Sequence, residues 1–134
     1  MARIIHVPFC YFPEAVGGTE IYVRDLARVQ VTRGDTVMIL APADESQSYV
    51  HEGLPVVRFT VSNDITDVRD LYTSGKTDIG EFLSAVERFS PDVLHIHGVG
   101  RGIAPAALER VRALGISIVL TYHTPTTTCV RGTL

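Results

Sequence analysis

Apolar positions follow two patterns that alternate along the chain. Ile4-Ile5-His6-Val7 is a short apolar run and is predicted as a buried strand. Tyr22, Leu26 and Val29 recur at i, i+4 and i+7. That spacing predicts an amphipathic helix over about residues 18–33 with these three on its inner face, stopped by Gly34 in the left-handed conformation. Thr36–Ala41 is a second strand, apolar after its first residue, and Val56–Phe59 a weaker third. Ile79, Phe82, Leu83, Val86 and Phe89 form one helical face, capped by Thr77 or Asp78 and ended by Ser90-Pro91. Asp92–His97 is a fourth strand. Ile103, Ala107, Val111 and Leu114 make another helical stripe closed by Gly115, and Ile116–Tyr122 is a fifth strand. Residues 60–77 are polar, and Asp64, Asp67 and Asp70 with Leu71 and Tyr72 suggest no more than a short helix. Thr124–Leu134 shows no recognisable element.

The order β-α-β-β-α-β-α-β points to the α/β class, as a Rossmann-like doubly wound parallel sheet. Strands apolar on both sides expect helices on both faces. Right-handed crossovers favour the strand order 3-2-1-4-5. The length of 134 residues fits one domain, residues 1–134. With 46% apolar and 20% charged residues, the chain carries enough apolar material for a core, which excludes disorder and low complexity.

Charge mainly excludes. Twelve basic and fifteen acidic residues give a net charge of −3, with no basic stripe to mark a nucleic-acid partner. Cys10 and Cys129 are too few for a disulfide framework and match no zinc spacing, which favours a reducing, cytoplasmic setting. The apolar start is too short for a signal peptide, and no stretch approaches the ~20 apolar residues a membrane span needs.

Ligands of open parallel sheets bind at the carboxyl ends of the strands, near the switch in strand order. The first strand leads there into Gly17-Gly18-Thr19-Glu20 and a helix start. Paired glycines let backbone amides approach an anion, and the helix dipole favours a phosphate. A tight turn with Thr19 as cap is the plainer alternative. The fourth strand ends in His95-Ile96-His97-Gly98, whose two imidazoles share one strand face. The fifth ends in Tyr122-His123-Thr124, and Thr124 adds a hydroxyl to the same rim. His97 and His123 are the stronger functional candidates, whereas His6 and His95 read as satisfied core histidines. His95, His97 and His123 with Cys129 offer a weak zinc alternative, since no carboxylate joins them; no metal is expected.

Taken together, Phe9-Cys-Tyr-Phe-Pro-Glu-Ala-Val-Gly-Gly-Thr-Glu, Arg33-Gly-Asp-Thr-Val-Met-Ile-Leu40, Pro91-Asp-Val-Leu-His-Ile-His-Gly98 and Val119-Leu-Thr-Tyr-His-Thr-Pro125 resemble, in order, the strand-and-loop motifs of retaining GT-B glycosyltransferases of family 4. The resemblance implies the N-terminal, acceptor-side half of a two-domain enzyme. That enzyme would move a sugar from a nucleotide diphosphate sugar to an acceptor hydroxyl, on a glycan or a lipid-linked acceptor, without cofactor or metal. It implies that Gly17 and Gly18 approach the donor diphosphate and that His123 lies at the transferred sugar. Residues 9–14, including Tyr11 and Glu14, would shape the acceptor side. Glu20 and His97 match further positions near the acceptor or sugar.

The family's Glu-x7-Glu motif belongs to the C-terminal, donor-binding domain, and no glutamate of this chain has another eight positions later. The chain is therefore expected to be part of a longer protein and inactive alone. A non-catalytic, flavodoxin-like phosphate- or nucleotide-binding module is the alternative from another class, and a metal-dependent hydrolase the weakest. Arg101, Arg110 and Arg112 leave open a peripheral contact with the inner face of a membrane, against the plainer solvated helix face.

Overall fold

The computed structural model describes residues 1–61, 79–98, 103 and 105–123. Six strands form one sheet in the order β3-β4-β2-β1-β5-β6. They are β1 (Arg3–Val7), β2 (Thr36–Ala43), β3 (Gln47–His51), β4 (Leu54–Thr60), β5 (Val93–Ile96) and β6 (Ser117–Leu120). Five run parallel and only β3 is antiparallel, against β4. The five parallel strands keep the expected 3-2-1-4-5 order, so this is a Rossmann-like doubly wound sheet.

The antiparallel edge strand was not predicted. Gln47–His51 is mostly polar and half-exposed, so periodicity gives no signal. It is held by a two-residue turn in which Glu52 and Gly53 both take positive φ, 47° and 82°, the hairpin geometry that matches strand twist. A polar edge strand also discourages pairing with other chains.

Three helices among the described residues cover the sheet: α1 (Gly18–Thr32), α2 (Gly80–Phe89) and α3 (Pro105–Ala113). Strand residues alternate between two cores. Ile5, Val7, Met38, Leu40, Leu94 and Ile96 pack with Phe82, Ala85 and Val86 of α2 and Ala107 and Val111 of α3. Ile4, Val37, Ile39, Ala41 and Val56 pack with Val23 and Ala27 of α1 on the other face. The predicted α2 stripe is the buried one, and Ser90 ends the helix in the left-handed conformation. The Thr77 or Asp78 cap and the helix suggested around Asp64–Tyr72 lie outside the described residues. In α3, Leu114 departs from its stripe, being 49% exposed just past the helix end.

The predicted inner face of α1 is corrected. Tyr22 and Val29 are exposed, and the buried residues are Glu20, Val23 and Ala27, with Gln30 half-buried one turn on. The sheet under α1 carries histidines, so small and polar side chains face it rather than the largest apolar ones.

The chain enters β2 from one face and β5 from the other, so the switch in strand order lies between β1 and β5. Gly98, just past β5, closes that edge. Its φ of +143° suits glycine alone, and a Cβ there would stand 2.3 Å from the Phe9 ring. Gly98→Ala is therefore expected to cost roughly 2–4 kcal/mol through backbone strain and overpacking. Urea unfolding measures it; wild-type stability would show that the Phe9 contact yields freely.

Candidate functional site

Strand register builds the site. His6 pairs with His95 across β1 and β5, so both point to the α1 face of the sheet. His97 lies two residues beyond His95 and shares that face, the two rings 4.1 Å apart. His123 follows the adjacent β6. Three hydrogen bonds then connect four side chains. His6 Nε2 meets Gln30 Oε1 at 2.7 Å, His6 Nδ1 meets His97 Nε2 at 2.9 Å, and His97 Nδ1 meets His123 Nε2 at 3.1 Å. His95 Nε2 is paired separately with Thr121 Oγ1 at 2.6 Å.

His6 and His97 are wholly buried. Burial first, and then the neighbouring imidazoles, push the His97 pKa down to about 2. Burial also pushes His6 down to about 4, against a raising effect from its Gln30 bond. His95 is lowered for the same reason, with His123 adding to it. These rings are neutral near pH 7.

The helix start stands beside them. Gly17 is the N-cap, extended and with no side-chain cap, so Thr19 does not cap the helix. The first amides of α1 have no intrahelical acceptor. A Cβ on Gly18 would meet nothing within 4 Å, whereas one on Gly17 would stand 2.6 Å from Glu20 Oε2. The space beside Gly18 is open, while the Glu20 carboxylate fills that beside Gly17. One turn on, the Tyr22 ring lies edge-on to His123 at 5.0 Å and to His97 at 5.9 Å. Tyr22 places the helix start and His123 in one locality.

Other expected site residues fall elsewhere. Tyr11 does not line a rim: its side chain is wholly buried in the α1-side core and its hydroxyl has no partner among the described residues. Glu20 is buried and accepts from the Cys10 thiol at 3.1 Å. Burial, then that bond, pushes the thiol up to about 11, so Cys10 remains a protonated donor. Glu14 pairs with Arg58 at 2.9 Å. His97 is sealed from solvent and hydrogen-bonded to His6 and His123. Thr124 and Cys129 lie outside the described residues, as does Arg101; Arg110 and Arg112 are exposed in the last turn of α3.

Sequence reasoning missed four residues. Gln30 and His6 carry the chain of imidazoles, Tyr22 covers it, and Arg58 anchors the loop of residues 9–16. Arg58 is 2% exposed and donates to Glu14 and to the Pro42 carbonyl at 2.8 Å, while Tyr49 donates to the Phe12 carbonyl. The one available signal was the helical spacing 20, 23, 27, 30, which marks an inner face once small and polar residues are admitted.

The nitrogens of His6, His95 and His97 lie within 4.8 Å of one another, the grouping that could hold a cation. It differs from the predicted set, which used His123 and Cys129. Both nitrogens of His6 and of His97 are already hydrogen-bond partners, and among the described residues no carboxylate joins the group. A groove of about 480 Å³ lined by Ser46, Arg58, Glu81 and Arg88 lies at the opposite flank of the sheet, apart from these histidines. Among the described residues, no helix is long and apolar enough to cross a membrane.

The depressed histidines make stability pH-dependent. Both fold with pKa values below the ordinary 6.5, so the unfolded chain takes up protons that the folded chain refuses. Their contribution is intact above about pH 6.5 and is lost as the pH falls toward 4 for His6 and toward 2 for His97. Each contributes about 1.4 kcal/mol per pH unit within its window. Denaturant unfolding should thus lose roughly 2–3 kcal/mol between pH 6 and pH 5. His97→Phe should clearly flatten that slope, and a flat wild-type profile would show that these rings are not held neutral.

The glycosyltransferase family 4 profile matches residues 16–133, nearly the whole chain. No curated protein sequence matches it. The match spans α1, β2 to β6 and all four histidine positions after β1, and the chain belongs to glycosyltransferase family 4.

Proposed function

We propose that this domain is the N-terminal, acceptor-side half of a retaining glycosyltransferase that uses a nucleotide diphosphate sugar. A second, donor-binding domain would complete the cleft. Family membership supports a transferase. The observation that carries the finer reading is the open Gly18 helix start one turn from Tyr22, whose ring lies against His123.

In this reading the amides at Gly17 and Gly18 meet the donor diphosphate, where fixed dipoles oppose the charge that grows on the leaving group. His123 hydrogen-bonds a hydroxyl of the transferred sugar and holds it in place. The bond from the anomeric carbon to the phosphate oxygen breaks, one from that carbon to the acceptor oxygen forms on the same face, and the acceptor hydroxyl proton passes to the departing phosphate oxygen. The loop of residues 9–16, pinned by Arg58 and Glu14, shapes the acceptor side. The acceptor is a glycan or a lipid-linked sugar, the setting cytoplasmic. This domain alone turns over no donor, because the reacting groups need both walls of the cleft in register.

His123→Ala in the intact protein is expected to lower kcat about 100-fold with the fold retained, the scale of losing one preorganised donor or acceptor. Donor turnover measured across uridine, guanosine and adenosine nucleotides tests it. Near-wild-type kcat would remove His123 from the site. Micromolar nucleotide binding by the 134-residue chain alone would favour a binding module instead.

A further inference from the structure

We propose that Gln30 is a positioning residue: through His6 and His97 it fixes the tautomer of His123 and presents the His123 Nδ1 lone pair as an acceptor for a ligand hydroxyl. The catalytic meaning of this rests on the reading that His123 faces the donor sugar; the wiring itself does not.

The inference follows from counting hydrogens. A neutral imidazole gives one hydrogen bond and receives one. The Gln30 amide oxygen can only accept, so His6 must carry its hydrogen on Nε2 and receive at Nδ1. His97 must then give from Nε2 to His6 and receive at its own Nδ1. His123 must in turn give from Nε2 to His97. Its Nδ1 is left as a lone pair with no partner among the described residues. No ring can reverse alone, because reversal would set two hydrogens or two lone pairs face to face. All three reverse together only if the Gln30 amide turns and offers its NH2 group.

The surroundings keep this rule in force. His6 and His97 are wholly buried, so neither readily takes a second proton that would break the pattern. From β5, His95 faces the chain with its ring 4.1 Å from His97, and its Nε2 is occupied by Thr121. From α1, the Tyr22 ring and Gln30 reach it. The one histidine–carboxylate pair among the described residues is His51 with Glu52, which lies elsewhere. The direction of the chain is therefore set by which end of the Gln30 amide faces His6, here its oxygen.

Long-range 1H–15N spectra of 15N-histidine-labelled protein near neutral pH read the tautomers directly. In the wild type, His6, His97 and His123 are all expected as Nε2–H. In Gln30→Leu the end of the chain is left without a partner, and His6 is better served by burying a bare lone pair than a bare N–H. An Nδ1–H population absent from the wild type should then appear at His123, three hydrogen bonds from the substitution. The backbone amide spectrum should otherwise be retained. In the intact enzyme kcat/KM should fall about three- to tenfold, the scale of one neutral hydrogen bond, which is far less than for His123→Ala. Nδ1–H at His123 in the wild type, or an unchanged His123 tautomer in Gln30→Leu, would overturn the proposal. If Gln30→Leu does not fold, Gln30→Met and the wild-type spectrum decide it. A tautomer that switches without loss of turnover keeps the wiring and removes His123 from the sugar. A His123→Ala enzyme that is dead beside an unmoved tautomer keeps the function and removes Gln30.

Discussion

Two imidazoles sealed beneath α1 have no water to satisfy them, so each must find one partner to give to and one to receive from. An unpaired buried polar atom costs about 1–3 kcal/mol. His6 and His97 meet this demand by bonding each other, and their outer nitrogens then need Gln30 on one side and His123 on the other. The seating of α1 follows from this. The helix turns Glu20, Val23, Ala27 and Gln30 toward the sheet and leaves Tyr22 and Val29 partly exposed. Its start, with the uncapped Gly17, arrives at the same sheet edge as His123.

The sheet supplies the rigidity this needs. His6 and His95 sit at paired register positions on neighbouring parallel strands, and each strand is packed from both sides. Phe9 over Gly98 and the Arg58 contacts with Glu14 and Pro42 fix the two flanks of the carboxyl edge. The helix start belongs to α1, and His123, three residues past the end of β6, is held by its hydrogen bond to His97. The loop of residues 9–16 is tied down by a buried arginine. A buried cation with a half-exposed partner is a costly arrangement for stability alone, and here it anchors the mouth of the proposed cleft.

Much of the fold was legible in the chain. The five parallel strands, their order, the faces of α2 and most of α3, and the stops at Gly34 and Ser90 follow from local periodicity and backbone geometry. The edge strand Gln47–His51 was not, because a polar strand with one wet face carries no apolar alternation. Hydrophobic spacing alone gives α1 the wrong phase for a related reason. Hydrophobicity picks out Tyr22, Leu26 and Val29, but the surface beneath the helix is partly polar and rewards Ala27 and Gln30. Tyr11 looked like a rim residue from its place in the loop, and only packing shows that its ring fills the core.

The sequence by itself determined the architecture and the sheet end that carries the candidate site, because strand periodicity, helix stops and paired glycines act within a few residues of one another. It also singled out His97 and His123 by their places at strand tips. Only the tertiary structure decided that His97 is an internal link, that His6 is part of the same chain, and that Gln30 terminates it. These partners are 91, 26 and 24 positions apart along the chain. Which of them meet depends on strand register and helix phase, and those are settled by the whole sheet burying its two faces at once.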